Sequence, residues 1–316
     1  MKPPVRVLLL HAQAEELDAA LSQRFPDRSA CVFSKASSWQ NLSPLDLQAD
    51  AIVSLASGLS NEVLPQMTKL RWVQALTSGV DGFQAFSNLP KSVWLTSMRG
   101  IHGASVSEYV LLHMLALGRG FLQHHAQQQA QVWRRISQPL LHGKTVAVIG
   151  TGFIACELAR RCKALGMHTV GVSATARAVP EFDEVVSRGE LHSALARADF
   201  TVLVVQLDPG TRGLMDAAAF AAMKPGSHFI NVSRGGVCDE DALLHALQSG
   251  HMAGAALDVF ATEPLPVAHP LWHAPNCLIT PHTAGSFDTY IAAAIPTIAA
   301  NLDAFIQGRA PTINLV

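Results

Sequence analysis

The chain has 316 residues, 49% of them hydrophobic and only 15% charged, with a formal net charge of -1. That length suits two domains, each with its own core. The balanced charge excludes a general electrostatic attraction to nucleic acid or anionic membranes, and no apolar run approaches the ~20 residues of a membrane span.

Strand-like and helix-like stretches alternate from the start. Strands are predicted over 5–10, 30–33, 51–55, 72–75 and 93–96, with a helix over 15–25 and a short one near 61–67. Such β-α-β alternation over the first ~95 residues predicts a parallel, doubly wound sheet. Residues 101–122 read as one long buried helix, suited to a connector or a subunit contact. The Gln-rich stretch 123–138, with Trp133 in it, reads as an exposed helix and loop.

A second series of strands follows over 146–149, 168–172, 201–205, 228–232, 253–258 and 277–280, and a final helix over 289–306. It begins with VAVIGTGFIA: an apolar strand, the turn Gly150-Thr151-Gly152, then Phe153, Ile154 and Ala155 opening a helix over 156–165. The first glycine allows the turn, the second admits close approach of a pyrophosphate, and a small third residue lets helix pack on strand. The amides and dipole of the helix start favour an anion there. Placed in a strand–turn–helix–strand context, Gly150, Thr151, Gly152, Phe153 and Ile154 are expected to bind a dinucleotide.

An NAD site carries an acid ~20 residues after this turn, at the end of the second strand, for the ribose hydroxyls. Here that place reads Ser173-Ala174-Thr175-Ala176-Arg177, with no Asp or Glu between Glu157 and Glu181. Ser173, Thr175 and Arg177 remove the repulsion of a 2′-phosphate and add donors and charge. The pattern favours NADP(H); if Arg177 is only a surface arginine, NAD(H) serves equally.

Three segments after later strands stand out: FINVSRGG with Arg234, ALDVFATEP with Glu263, and LITPHTAG with His282. Ligands of open α/β sheets gather at the carboxyl ends of strands, so this arginine, carboxylate and histidine can converge. Taken singly, Arg234 could be a surface ion-pair partner, Glu263 a turn residue and His282 a core histidine; the combination beside a dinucleotide motif points to catalysis.

From about Leu70 to Asn314 the chain resembles the D-isomer-specific 2-hydroxyacid dehydrogenase family, of the glyoxylate/hydroxypyruvate reductase type. The family's N-x-x-R-G, D-V-F-x-x-E-P and T-P-H segments match at Arg234, Glu263 and His282. The resemblance implies a Rossmann cofactor domain (98–286) inserted in a flavodoxin-like substrate domain (1–97 and 287–316), with a cleft that closes over substrate. It implies that the 77–82 turn presents the amides of Ser78, Gly79 and Val80 to the substrate carboxylate. Asp258 would face the nicotinamide amide, and Val232 and Ser233 would line the cofactor, with Gln206 nearby in a loop that departs from the family's usual proline and threonine. Arg99 or His102 could read a substrate side group, or simply face solvent.

The expected activity is reversible, NAD(P)H-dependent reduction of a small 2-keto acid such as glyoxylate or hydroxypyruvate to the D-2-hydroxy acid, by a homodimer. Arg234 would fork onto the carboxylate and carbonyl oxygen, His282 would deliver the proton, and Glu263 would stabilise the imidazolium. A formate-type enzyme of the same fold would have glutamine where Glu263 stands. Short-chain dehydrogenase chemistry needs Tyr-x-x-x-Lys, and Tyr109 and Tyr290 are followed at that spacing by His113 and Ala294. The remaining alternative is a dinucleotide-sensing, corepressor-like protein of the same fold.

The five cysteines form no C-x-x-C pair, which fits reduced thiols and a cytoplasmic location. The amino-terminal apolar stretch is too short for a signal peptide. Among fourteen histidines, neither the pair His269/His273 nor His124-His125 has ligand-spaced partners, so no metal is expected.

Overall fold

The first parallel sheet grows from strands whose side chains are apolar on both faces. β1 (Val5–Leu10), β2 (Cys31–Ala36), β3 (Ala51–Ser54), β4 (Trp72–Ala75) and β5 (Trp94–Thr96) lie in the order β2-β1-β3-β4-β5. In VRVLLL the four residues Val7–Leu10 are all buried, as expected of a strand covered on both sides. Each such side chain contributes roughly 1.5–3 kcal/mol of burial. On one face, Leu17 and Leu21 of α1 (Ala14–Arg24) share a core with Ile291, Ile298, Leu302 and Phe305 of the carboxy-terminal helix Tyr290–Ile306. The short helix α2 (Asp81–Gln84) follows β4.

The computed structural model describes residues 3–316, and the chain divides into two units. Unit 1 comprises Met1–Ile101 and Phe287–Val316, and unit 2 comprises His102–Ser286. Residues 98–101, grouped on sequence with the central segment, fall in unit 1. Met98 is fully buried in that unit's core, and its N–H donates to Thr77 O at 2.8 Å.

Unit 2 opens with α3 (Gly103–Gly118) and α4 (Phe121–Gln129). The single helix expected over 101–122 is broken where Gly120 takes a left-handed φ of 61°. Nor is α3 wholly buried: Val106, Val110 and Met114 pack inward while Leu112 and Leu115 are exposed. The seven-stranded sheet then forms from β6 (Thr145–Ile149), β7 (His168–Ser173), β8 (Glu184–Ser187), β9 (Phe200–Leu203), β10 (His228–Asn231), β11 (Gly254–Leu257) and β12 (Cys277–Ile279). Its order, β12-β11-β10-β9-β6-β7-β8, reverses between β6 and β9. That reversal opens a crevice at the carboxyl ends of a doubly wound sheet.

Helices α5 (Phe153–Ala164), α6 (Leu191–Arg197), α7 (Ala217–Ala222) and α8 (Glu240–Gln248) connect these strands. Strand β8 and helices α6 to α8 are not among the elements predicted from the sequence. The β8 strand EVVS has two apolar residues and lies at the sheet edge. Asp216 and Asp239 cap α7 and α8 by accepting from Ala219 N and Ala242 N, which satisfies amides a helix start leaves open.

Among the described residues no helix is long and apolar enough to cross a membrane, and all five cysteines are free. Burial pushes the Cys162 and Cys277 thiols up to about 12, so both stay protonated and unreactive.

At the edge of unit 2, Asp183 accepts from Lys163 Nζ at 2.9 Å and from the Thr169 N–H and Oγ1, each at 2.9 Å. The Lys163 hydrogen bond, with those from Thr169, outweighs burial and holds its carboxyl at about 2, down from 3.8. A depressed folded-state value stabilises the fold above the unfolded value, and the gain is lost as pH falls through the folded one. Asp183→Asn is therefore expected to remove ~1 kcal/mol at neutral pH, after solvent screening. In thermal melts from pH 5 to pH 2, the gap between the variant and the parent should close; a constant gap would contradict the assignment.

Candidate active site

Strands β10, β11 and β12 are adjacent and parallel, with Asn231 opposite Leu257 and Leu257 opposite Ile279. Their ends therefore deliver three loops to one place. Arg234, Glu263 and His282 follow these strand ends.

The His282 loop is organised by Asp258, only 2% exposed. One carboxylate oxygen accepts from Thr280 Oγ1 at 2.8 Å and Thr283 N at 2.9 Å, and the other accepts from Ala284 N at 2.8 Å. His282 N itself donates to Asp258 O at 2.8 Å. These bonds hold His282 at a left-handed φ of 54°, a conformation costing of order 1 kcal/mol for a non-glycine residue. The Asp258 carboxylate is thus bonded within this loop. Tyr109 of α3 adds a contact from behind, its hydroxyl 3.1 Å from Thr283 Oγ1.

His282 Nδ1 lies 2.7 Å from Glu263 Oε2. A carboxylate only accepts, so Nδ1 carries the proton and Nε2 is left for chemistry. Glu263 Oε1 accepts from Phe260 N at 2.9 Å. Burial pushes the Glu263 carboxyl up. The bonds from His282 and Phe260 and the charges of His282 and Arg234 outweigh it, leaving the group below the usual glutamate range.

The Arg234 turn is tied by Asn231. Its Oδ1 accepts from Ser233 N at 3.0 Å and Ser233 Oγ at 2.8 Å, and its Nδ2 donates to Arg234 O at 3.2 Å. Arg234 Nη1 donates to Ser233 O at 2.7 Å. At Gly235 a Cβ would stand 1.9 Å from Phe260 C, so only glycine lets the Arg234 turn meet the Glu263 loop. Glu240, at the start of α8, braces that loop by accepting from Ala261 N at 2.7 Å. Its other oxygen lies 3.4 Å from His269 Nε2.

Asn231, Gly235, Glu240 and Tyr109 carry no catalytic signal in the sequence. Only the asparagine and glycine of N-x-x-R-G could have been flagged. Glu240 reads as an ordinary acid in a helix's first turn.

The turn after β6 has the form a pyrophosphate requires. Gly150 has φ 112°, and a Cβ there would stand 2.6 Å from Val204 O. Gly152 precedes α5, and a Cβ on it meets nothing within 4 Å. No side chain caps α5, so the open space lies where its first amides, from Phe153 and Ile154, converge. Thr151 is buried beneath them. Ser173 ends β7, its hydroxyl donating to Thr175 O, while Thr175 and Arg177 are exposed. The turn at Gln206 is closed by Thr211, whose hydroxyl donates to Gln206 O at 2.6 Å. Val232 is half-buried and Ser233 buried in its own turn. These residues fit a dinucleotide.

Comparison with known proteins decides the family. Residues 111–284 match the model for "D-isomer specific 2-hydroxyacid dehydrogenase, NAD binding domain". The chain belongs to this family of NAD(P)-dependent dehydrogenases. It is 34% identical over 307 residues to glyoxylate/hydroxypyruvate reductase A of Serratia proteamaculans (strain 568), covering 94% of this chain and 93% of that protein. A crystal structure of a D-isomer specific 2-hydroxyacid dehydrogenase family protein from Aeromonas salmonicida superposes with a TM-score of 0.90. It is 32% identical and covers 99% of this chain and 98% of its own. The NADPH-dependent glyoxylate/hydroxypyruvate reductase of Sinorhizobium meliloti, solved with NADP and sulfate, superposes with a TM-score of 0.85. It is 29% identical over 100% of this chain and 98% of its own.

In unit 1, the turn after β4 is shaped by Thr77, whose hydroxyl donates to Gly79 O at 2.6 Å. Ser78, Gly79 and Val80 follow it, and Val80 O accepts from Phe83 N at 2.9 Å. Arg99 O accepts from Asn314 Nδ2 at 2.8 Å. His102 is buried at the start of α3. Among the described residues no group of three or more His, Cys, Asp or Glu is arranged to hold a metal ion.

Gly235→Ala is expected to push the 260–261 backbone away and open the His282–Glu263 contact, lowering kcat at least tenfold; a folded variant with near-parental kcat would refute the close approach. Because the Glu263 carboxyl is held low, its protonation limb in kcat/KM should fall below the usual glutamate range, about 4.3, and Glu263→Gln should abolish it.

Proposed function

We propose that the enzyme reduces a small 2-keto acid, such as glyoxylate or hydroxypyruvate, to the D-2-hydroxy acid, with NADP(H) preferred over NAD(H). The observation that carries the reading is the hydrogen-bonded His282–Glu263 pair facing the charge of Arg234, with a dinucleotide turn on the same sheet. The named activity of the Serratia and Sinorhizobium relatives supports the substrate class.

When bound, the nicotinamide supplies the hydride. Arg234 takes the substrate's carboxylate and carbonyl oxygen in a fork and polarises the carbonyl. The amides of Ser78, Gly79 and Val80 are assigned to the substrate carboxylate as well. His282, protonated on both nitrogens, gives its Nε2 proton to the oxygen that becomes the hydroxyl, and takes it back in the oxidative direction. Glu263 keeps Nδ1–H fixed and balances the imidazolium charge. Gly150, Thr151, Gly152, Phe153 and Ile154 hold the pyrophosphate. Gln206, Val232 and Ser233 line the rest of the cofactor, and Asp258, which holds the His282 loop, faces the nicotinamide amide.

The absence of any acid at Ser173 supports NADP(H). A homodimer is in keeping with the exposure of Leu112, Leu115, Phe121, Val132 and Trp133 along α3, α4 and the segment after them. The free thiols are in keeping with a cytoplasmic location.

Oxidation of NADPH and NADH is to be followed against a panel of 2-keto acids, with chiral analysis of the product. Turnover of glyoxylate or hydroxypyruvate is expected. Nucleotide binding without turnover of any 2-keto acid would overturn the proposal. His282→Ala and Arg234→Ala should each lose at least a hundredfold in kcat/KM, and near-normal rates would refute their roles. Ser173→Asp should move the preference toward NADH; an unchanged ratio counts against the ribose argument.

A further inference from the structure

β8 ends at Ser187, which the sheet register sets beside Ser173 at the end of β7. Arg188 is the next residue. Its Nη1 donates to the carbonyl of Gly210, 2.7 Å away, in the turn that follows β9. In the sheet, β7 and β6 lie between β8 and β9. The arginine thus links the two loops that flank the carboxyl ends of the two nucleotide-side strands. A Cβ on Gly210 would stand 2.7 Å from that same nitrogen, so glycine leaves room for the guanidinium tip as it is placed.

The backbone under Arg188 is fixed. Ser187 and Glu190 form a reciprocal capping box, the Glu190 carboxylate accepting from Ser187 N and Oγ. The nearby acids are engaged elsewhere. Glu190 is held by Ser187, Glu184 pairs with Arg197, and Asp208 accepts from Gly210 N at 2.7 Å. Among the described residues no carboxylate comes within 4 Å of the Arg188 guanidinium. A half-buried arginine is therefore held by a neutral carbonyl, with no ion-pair partner within 4 Å and its other N–H groups available. Arg177, the arginine that the sequence pattern singles out, is exposed on the loop beyond β7.

We propose that Arg188 is a determinant of cofactor choice, its guanidinium receiving the 2′-phosphate on the adenosine ribose of NADP(H), which NAD(H) lacks. A planar guanidinium anchored by one N–H presents the rest as a fork suited to phosphate oxygens. The assignment rests on the NADP(H) reading above and adds a residue from a different strand to it.

The test uses calorimetric binding of 2′,5′-ADP and 5′-AMP, which lack the nicotinamide and need no turnover. The proteins are the parent, Arg188→Gln, Arg188→Lys and Arg177→Gln, each checked for a parental melting temperature. The parent should bind 2′,5′-ADP more tightly than 5′-AMP. Arg188→Gln should weaken 2′,5′-ADP about tenfold or more while leaving 5′-AMP within twofold, and Arg188→Lys should recover part of the loss. Equal weakening of both ligands would assign Arg188 to the adenine or to the fold and overturn the proposal. A preference that survives intact in Arg188→Gln overturns this assignment alone and leaves the NADP(H) reading standing. A parent with no preference overturns both.

Discussion

A buried carboxylate holds the candidate active site together. Asp258 sits at the end of β11 and accepts three hydrogen bonds from Thr280, Thr283 and Ala284. An isolated buried anion would cost several kcal/mol. Satisfying it with donors from one short loop turns that cost into a geometric constraint, because the loop must curl around the carboxylate. His282 lies inside the curl, so its backbone is forced into the left-handed region and its ring is set against Glu263. The position of the histidine thus follows from the charge beneath it.

The same economy recurs in the neighbouring loops. Asn231 closes the turn that carries Arg234, and Glu240 braces the loop that carries Glu263. Each functional side chain rests on a polar residue that is itself buried or partly buried and bonded to backbone. Gly235 then lets two of these loops touch backbone to backbone. Such support holds reacting groups within the small tolerances that proton transfer and charge stabilisation demand.

Adjacent parallel strands explain why three segments distant in sequence meet. Each strand of a doubly wound sheet ends on the same edge, so residues three to six positions beyond β10, β11 and β12 share one rim. The dinucleotide turn lies on that rim too, after β6, at the point where strand order reverses. Chemistry and cofactor are brought together by topology.

Much of this was legible in the amino-acid sequence, because apolar runs such as VRVLLL and VAVI mark strands buried on both faces and the glycine turn stands between such a strand and a helix. The order Arg234, Glu263, His282 after successive strands singled out the candidate reacting groups for the same reason: strand ends are where an open sheet binds ligands. Other features depend on partners far along the chain. The break at Gly120, the edge strand β8 and the bonds Asp258 makes to its loop were not readable, since a backbone dihedral, a two-residue apolar run and a carboxylate satisfied more than twenty residues later have no distinctive local pattern. Glu240 looks like any acid at a helix start until Ala261 arrives 21 residues later. Local sequence determined most strands and the candidate reacting groups; only the tertiary structure decided how they are held, because those contacts exist only once the sheet has brought separate loops to a common edge.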